Sequence, residues 1–362
     1  MIIYLNVTTS DLKDIPEKEA EQLLTNLIDA DRCGRHLVII GRSVCRWALE
    51  NLHLSGSNSG HLVGIMEDFT IRGDSYLSGN CFLNVVLGVQ KICVVENYFT
   101  IGHLEFSQGG YSSLTTQIVV ENITSDKGVY EFILNSTIAY TNVPRWNADF
   151  VQGGGSTTAD VFDSEIEKKR ITVCLYDTDK ISPCDRFGAT AKKIRNFHNK
   201  RNSSVDDPML PYIGTAKCTI GHEVENYIPL SAVSKLKQFD LPEGLAGIVS
   251  QSSSADAQDC FWMFFDFKKG VSGSKIRFKI DEGHKSQNVE EWISKKTKCS
   301  QEDFCSLDIS GIGKNVPSAF LKSDEAKSAY LEFCTTDYWK DLFLSYFEDI
   351  LWYLAAPVAS RL

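Results

Sequence analysis

The chain has no excess of positive charge and no CxxC pair. Of its 362 residues, 37 are Lys or Arg and 47 are Asp or Glu, so the formal net charge is −10. Non-specific binding of nucleic acid normally uses a basic surface. A polyanionic substrate of this chain would therefore bind at a local basic patch or through a bound metal. The spacing of the eleven cysteines excludes a zinc ribbon and favours reduced thiols over a disulfide framework.

The chain also lacks the features of a targeting or membrane-spanning segment. The opening residues, MIIYLNVTTSDLKD, have no basic region followed by a long apolar one, so we expect no signal peptide and a cytoplasmic protein. The most apolar late stretch, LFLSYFEDILWYLAAPVA, is interrupted by Glu348 and Asp349. A membrane helix needs about 20 residues nearly free of charge, so we expect a buried helix and no membrane association.

The length and the 43% hydrophobic content are sufficient for two or three folded domains. Residues 1–110 predict an α/β domain, residues 115–280 a parallel sheet flanked by helices, and residues 281–362 a mostly helical region. In the first region, strands IIYLNV and HLVII flank a helix with Asp14 as its cap. A second helix at Arg42–Leu52, a loop at Ser55–Gly60, strands FLNVVLGV and KICVVEN, and a linker at Ser107–Ser113 follow.

In the second region, predicted strands alternate with predicted helices, which indicates parallel strands joined by crossover helices. The strands are TQIVVEN, a short extended piece, RITVCLYDTD and TAKCTIGHEVEN. The helices start near Asp126, within GGGSTTAD, and at Asp185, the last running to Phe197. After residue 260 we expect a strand pair around FWMFFDF and KIRFKI, followed mostly by helix.

Acidic residues follow three of these predicted strands. They are Glu121, then Asp177 and Asp179, then Glu223 and Glu225. Ligands of open parallel sheets bind outside the carboxyl ends of the strands, and carboxylate oxygens are the ligands that Mg²⁺ prefers. The DxD pair alone has an alternative role as a helix cap, but the combination of the three motifs predicts a divalent-metal site.

The tetrapeptide VVEN occurs twice, ending at Asn97 and Asn122. Only the second copy precedes a predicted helix, for which Ser125 or Asp126 is the candidate cap. The first copy runs on into the β-rich segment YFTIGHLEF, so we interpret Glu96 as an exposed strand residue.

The order of these motifs resembles the TOPRIM fold of topoisomerases, bacterial primases and OLD-type nucleases, over about residues 115–280. IVVENITSDKGVYEFIL is similar to its first motif, with Asn122 where the common form has Gly, and ITVCLYDTDK is similar to its DxD motif. FVQGGGSTTADVF resembles the glycine-rich turn of OLD-like members. GHEVENYIPL and FWMFFDFKKG resemble segments of stand-alone TOPRIM effectors of bacterial anti-phage systems.

The resemblance implies a nuclease that uses Mg²⁺ or Mn²⁺ to hydrolyse DNA or RNA, transfer RNA included. It implies Asp177 and Asp179 as primary metal ligands, Glu121 as a general base or second-metal ligand, and Lys268 as a catalytic lysine near the scissile phosphate. Which of Glu223 and Glu225 faces the metal is left open. No tyrosine stands out as a topoisomerase nucleophile, although Tyr111 and Tyr130 are close in sequence.

Basic residues near these motifs are candidates for substrate binding, and the alternative for each is a solvated surface position. They are Lys192, Lys193, Arg195, Lys200 and Arg201, which with His198 form the densest basic run, and Lys269. The aromatic series in FWMFFDF is either a base-stacking surface or, as we prefer, a core segment.

The partners expected are the nucleic acid substrate, a separate ATPase that restrains or triggers the toxic effector, and a second copy of the chain in a homodimer. The ATPase is expected because this sequence has no phosphate-binding loop: SGIGKN lacks the first Gly of that motif. The alternatives are a non-catalytic TOPRIM-fold subunit of an ATPase complex and a DNA repair or replication nicking enzyme.

Overall fold

The computed structural model describes residues 1–89, 92–203, 212–242, 245, 248 and 260–359. Its first region contains a five-stranded sheet of order β2-β1-β3-β5-β4, in which the first four strands are parallel and β4 is antiparallel to β5. The strands are β1 (Ile2–Leu5), β2 (Leu37–Ile40), β3 (Phe82–Val86), β4 (Cys93–Val95) and β5 (Tyr98–Gly102). The helices are α1 (Thr9–Lys13), α2 (Glu17–Arg32), α3 (Arg42–Asn51), α4 (Gly56–Glu67), α5 (Phe69–Ser78) and α6 (His103–Gln108).

The expected strands and the second helix of this region are confirmed, but three local predictions are wrong. The segment YFTIGHLEF is β-strand only as far as Gly102, because α6 begins at His103. Asp14 is the residue after α1 and does not cap α2, whose first turn follows Pro16. The polar stretch at Ser55–Gly60 is not a loop, because the Ser55 side chain caps α4 by accepting a hydrogen bond from the Asn58 amide. The helix then buries Leu62 and Ile65, and this burial stabilises it although its first turn consists of small polar residues and glycine.

A second, four-stranded sheet contains the strands that carry the acidic motifs. All its strands are parallel and their order is β7-β6-β8-β9, which confirms the predicted alternation of strands and helices. The strands are β6 (Gln117–Val120), β7 (Asp149–Gln152), β8 (Thr172–Tyr176) and β9 (Gly214–Cys218). The connecting helices are α7 (Ile123–Thr137), α8 (Thr158–Glu167) and α9 (Ala189–Ser203).

Both faces of this sheet are covered, as the continuous apolar character of its strands requires. Ile118 and Val120 point to the large core that contains the buried side of α7. Val119, between them, points to the opposite face, where Phe162 of α8 and Ile194 of α9 are buried. Alternate residues of β6 therefore pack against different helices.

The connections leave β6 and β8 in opposite directions. The chain passes from β6 to β7 on one side, then crosses back past β6 to β8 and on to β9. The crevice between the carboxyl ends of β6 and β8 is the switch point where open α/β sheets bind ligands. Glu121 directly follows β6 and Asp177 directly follows β8, so one acid lies on each side of this crevice.

The residues from 260 onward are mostly helical, and the expected strand pair is wrong. FWMF forms a 3₁₀ turn, and KIRFKI lies within α11 (Gly273–Asp281). Every residue of the aromatic segment is buried, so its hydrophobic pattern has no period. Such a pattern does not distinguish a buried strand from a turn packed in a core. Two short strands, β10 (Val271–Ser272) and β11 (Asp308–Ile309), pair nearby.

The last helices pack against both sheets in one continuous hydrophobic core. They are α12 (Gln287–Thr297), α13 (Val316–Lys322), α14 (Asp324–Cys334), α15 (Asp337–Trp339), a π-helical turn (Lys340–Leu344) and α16 (Ser345–Leu354), and a short α10 (Leu230–Val233) precedes α11. The buried helix expected in LFLSYFEDILWYLAAPVA is confirmed. Among the residues described, no helix is both long and apolar enough to cross a membrane.

Candidate metal centre

Six carboxylates line one cavity of about 430 Å³ at the switch point. They include all five metal-ligand candidates from the sequence and one further residue, Asp126. Lys268 also lines the cavity, as does the glycine turn at Gly154 and Gly155. Residues 121, 177, 179, 223 and 225 are therefore brought together, whereas the exposed Glu96 lies in the turn between β4 and β5. The six carboxylates are Glu121, Asp126, Asp177, Asp179, Glu223 and Glu225.

Backbone hydrogen bonds join the acidic turns to one another. The Asp177 amide donates to the Glu121 carboxylate at 3.1 Å, and the Val224 amide donates to the Asp177 carboxylate at 3.1 Å. Each acid thus fixes the turn that carries the next one. The three motifs, which are far apart in sequence, form one hydrogen-bonded unit at the sheet edge.

The loop after β6 is held by a residue that the sequence analysis missed. The Gln152 side chain donates to the Glu121 carbonyl oxygen at 2.8 Å and accepts from the Ile123 amide at 2.7 Å. The Gly154 amide also donates to the Glu121 carbonyl oxygen, at 2.9 Å, from a left-handed conformation with φ of 83°. A glutamine that ends one strand beside a glycine turn is the only signal of this role in the sequence.

The helix after Glu121 begins differently from the prediction. Asn122 caps α7, since its side chain accepts a hydrogen bond from the Thr124 amide at 3.1 Å. Asp126 instead accepts from the Asn122 amide at 2.8 Å and from the Ser125 hydroxyl at 2.5 Å. The Asn that departs from the common TOPRIM pattern therefore starts the helix and leaves Asp126 facing the cavity.

The DxD turn has an unusual backbone conformation. Asp179 has φ of 56°, in the left-handed region that non-glycine residues rarely adopt. Its amide donates to the His222 carbonyl oxygen at 3.1 Å, and the Gly188 amide donates to the Thr178 carbonyl oxygen at 3.0 Å. The turn is thus held from two sides. Among the residues described, the Asp179 carboxylate makes no hydrogen bond or ion pair.

The segment after the DxD turn corrects the predicted start of α9. Asp185 was expected to begin this helix, but its side chain accepts hydrogen bonds from the Ile181 and Arg186 amides and pairs with Lys285. These contacts close a separate turn, and α9 starts four residues later at Ala189.

Glu223 and Glu225 are not at the end of an extended strand, as the sequence suggested. β9 ends at Cys218, and Glu223 caps a 3₁₀ turn at Val224–Tyr227 that contains Glu225. The Lys268 ammonium contacts both, at 2.8 Å from Glu223 and 3.3 Å from Glu225. Both acids therefore reach the cavity, and one lysine neutralises part of their charge.

Burial and mutual repulsion disfavour the ionised carboxylates of this cavity. Burial raises the pKa of Glu121 to about 7, and the charge of Asp179 adds to this effect. Burial, and then the charge of Glu121, raise the pKa of Asp177 well above its usual range. Burial and the charge of Glu223 raise the pKa of Glu225. Although burial opposes it, the charge of Glu225 raises the pKa of Lys268, which stays a cation.

The donor set fits a hard divalent cation by its chemistry. All the acidic groups are carboxylates, and for Glu121, Asp126, Asp177, Asp179 and Glu225 burial, together with neighbouring carboxylates, raises the pKa, a penalty that a bound cation would relieve. Within the described part of the chain, however, no three His, Cys, Asp or Glu side chains are gathered closely enough to hold a metal ion. Five of the six carboxylates accept from a backbone amide or contact Lys268.

Comparison with protein-family models, with curated proteins and with solved structures found no match. The TOPRIM resemblance therefore stays a prediction from the motifs.

The basic run on α9 lies outside the acidic cavity. Lys193 pairs with Asp160 at 2.8 Å, and the Arg195 guanidinium stacks on Phe187 at 4.1 Å. Arg201 is buried and pairs with Asp163 and Glu167 of α8. None of the candidates Lys192, Lys193, Arg195, Lys200 and Arg201 lines the cavity.

The aromatic candidates are core residues. Phe261, Trp262, Phe264, Phe265 and Phe267 are all at most 5% exposed, which agrees with the preferred interpretation. Tyr111 and Tyr130 are at most 4% exposed, and burial raises the pKa of each hydroxyl. Neither tyrosine is placed to attack a phosphate.

Proposed function

We propose that this protein is a Mg²⁺- or Mn²⁺-dependent nuclease of the TOPRIM kind that hydrolyses phosphodiester bonds in DNA or RNA, transfer RNA included. One observation carries the proposal: Glu121 and Asp177 end adjacent parallel strands at the switch point, and four further carboxylates line the same cavity. A site that concentrates so much negative charge is useful when its ligand is a cation.

Asp177, Asp179 and Glu121 would hold the cation, and Glu223 and Glu225 line the same cavity. When bound, a divalent ion supplies charge stabilisation at the phosphate and lowers the pKa of a coordinated water. As the alternative to ligating the metal, Glu121 would act as the general base, since its pKa without a bound cation is about 7. Lys268 is 41% exposed on its side chain, so its ammonium can contact a phosphate oxygen as well as the two glutamates.

A cleavage assay tests this function. Purified protein is incubated with DNA and RNA substrates in Mg²⁺, Mn²⁺ or EDTA, and the ends of any products are sequenced. Cleavage is expected only with a divalent ion, and Asp177→Asn should lower it at least 100-fold while Glu96→Gln, in the other VVEN copy, leaves it unchanged. Wild-type protein that cleaves neither substrate, or Asp177→Asn with full activity, contradicts the proposal.

The biological role that follows is a toxic effector of an anti-phage defence system, restrained or triggered by a separate ATPase. Residues 1–110 are the region we assign to that contact, because Ile71, Leu77 and Val95 are 71%, 82% and 62% exposed there. Co-purification with the product of an adjacent ATPase gene, lost in Ile71→Asp/Leu77→Asp, supports this role, and unchanged co-purification contradicts it.

A second candidate is a non-catalytic subunit that keeps the fold as a scaffold. It is favoured by the contact of Lys268 with both Glu223 and Glu225, which partly satisfies the acidic cavity without a metal. The cleavage assay separates the two, since a scaffold cleaves nothing and retains its cellular effect in Asp177→Asn.

A further inference from the structure

A second cavity, of about 310 Å³, adjoins the acidic one and has more basic than acidic side chains in its lining, namely four lysines and His222 against Asp179 and Asp266. Asp179 lines both cavities. The new cavity, which we call the lysine pocket, is lined by Lys269, Lys275, Lys279 and Lys285. Of these, only Lys269 was a candidate from the sequence, since KIRFKI was expected to be a strand.

The turn at Asp266 divides two neighbouring lysines between the cavities. The Asp266 carboxylate accepts hydrogen bonds from the backbone amides of Lys268 and Lys269, at 2.9 and 2.8 Å. Gly270 follows with φ of 71°, and an added Cβ there would lie 1.9 Å from the Ile309 carbonyl oxygen. This fixed turn directs Lys268 to the acidic cavity and Lys269 to the lysine pocket.

Two lysines of the pocket have uncompensated charge. Lys275 and Lys279 are exposed and lie one turn apart on α11, and neither forms an ion pair within the described residues. Lys285, by contrast, pairs with the buried Asp185 and so fixes the wall of the pocket. In a chain of net charge −10, converging unpaired lysines indicate a site for an anion.

An exposed aromatic ring stands on the same helix. Phe278 is 62% exposed, three residues after Lys275 and directly before Lys279. Rings flanked by cations are the usual platform for the bases of single-stranded nucleic acid, because every base has a face that can stack. The bases of a duplex are stacked on each other and cannot use such a ring.

We propose that the lysine pocket and Phe278 bind a single-stranded segment of the nucleic acid substrate. Lys275 and Lys279 contact its phosphates, Phe278 stacks on one base, and the strand passes Asp179 into the acidic cavity. This inference rests on the proposed nuclease function and names the form of its substrate.

Fluorescence anisotropy of labelled single-stranded DNA and RNA of about 20 nucleotides, in EDTA, tests the proposal without cleavage. Lys275→Glu/Lys279→Glu should weaken binding at least tenfold and reduce the slope of log affinity against log salt by about 1.4, the loss expected for two phosphate contacts. Phe278→Ala should weaken binding of single strands about tenfold and of duplex hardly at all.

The matched control is Lys18→Glu/Lys237→Glu, which changes the charge equally at two exposed lysines that do not line the pocket. It should bind within twofold of wild type, and thermal unfolding verifies that each variant is folded. Lys275→Gln/Lys279→Gln, a milder change, should give an intermediate loss.

The outcomes separate this inference from the nuclease proposal. If Lys275→Glu/Lys279→Glu binds like the control, or if wild type binds no single strand, the lysine pocket is not the binding site, whatever the cleavage assay shows. If the lysine variant loses binding while Asp177→Asn retains full cleavage, the pocket is supported and the catalytic assignment fails.

Discussion

Glu121 has a carboxyl group whose protonation depends on the fold. Burial raises its pKa from about 4.5 to about 7, so the folded state holds the proton more tightly than the unfolded chain does. The free energy of unfolding therefore falls as pH rises from about 4.5 to about 7, and the loss persists at higher pH. The shift corresponds to at most about 3 kcal/mol.

Glu121→Gln should remove this loss because its amide oxygen can still accept from the Asp177 amide. In EDTA at about pH 8 we expect the variant to be more stable than wild type by roughly 1–3 kcal/mol, with little difference near pH 4.5. Urea denaturation at several pH values measures this. Glu96→Gln, at the exposed turn, is the control and should match wild type; a Glu121→Gln variant less stable than wild type at pH 8 contradicts the assignment.

At the scale of an element, the turn from β8 to α9 determines where the Asp179 carboxylate lies. A Cβ at Gly188 would be 2.0 Å from the Asp179 Oδ2 atom and 2.8 Å from its Cβ, so no larger residue fits without moving the acid. Gly188→Ala should therefore lower Mg²⁺ affinity about tenfold or more and destabilise the protein by roughly 1–3 kcal/mol.

The Mg²⁺-dependent increase in melting temperature measures this affinity. Gly64→Ala is the control, since an added Cβ there has no neighbour within 4 Å and the change should be neutral or stabilising by up to about 1 kcal/mol. A normal response to Mg²⁺ in Gly188→Ala would show that Asp179 is not positioned by this turn.

Sequence patterns predicted the helices with one apolar face and the short apolar strands that alternate with them. The helix with Leu23, Leu24 and Leu27 was identified by its single apolar face, and the strand with Ile118–Val120 by a short apolar run followed by a predicted helix. Phe261–Phe264 was misassigned because all four residues are buried and show no period, and α11 because KIRFKI alternates polar and apolar residues as a strand does, although Phe278 is exposed. The order of the strands, and hence the position of the switch point, depends on long-range packing.

The same distinction applies to the candidate site. The five acids were found because each follows an apolar strand or lies close behind one. Asp126 and Gln152 were not selected, since a helix-start acid and a strand-end amide have ordinary structural roles. Lys275 and Phe278 were missed as binding residues because their segment was assigned to a strand.

At the scale of the whole molecule, the two sheets are coupled by a shared core and by specific contacts. The His36 ring nitrogen Nε2 lies 3.1 Å from the Leu114 carbonyl oxygen, and the Asn147 side chain donates to the Gly34 carbonyl oxygen at 2.8 Å. Burial lowers the pKa of His36 well below 6.5. The residue before β2 is thus joined, as a neutral ring, to the segment before β6.

Below pH 6.5 the unfolded chain gains a proton at His36 that the folded state does not, so stability is lost as pH falls. At about pH 5 this loss amounts to ~2 kcal/mol. In His36→Gln the loss between about pH 7.5 and 5 should be smaller by that amount, as judged by chemical denaturation. The exposed His53→Gln is the control, and an unchanged pH dependence in His36→Gln would show that the ring is not held neutral.

The central claim is that the carboxylates at the carboxyl ends of β6 and β8 bind a divalent cation. Electron paramagnetic resonance of Mn²⁺ titrated into the protein measures this directly, because free and bound Mn²⁺ give different signals. We expect one or two bound Mn²⁺ ions per chain in wild type and in Glu96→Gln, and none at these sites in Asp177→Asn/Asp179→Asn. Equal Mn²⁺ binding by that double variant, or no binding by wild type, would contradict it.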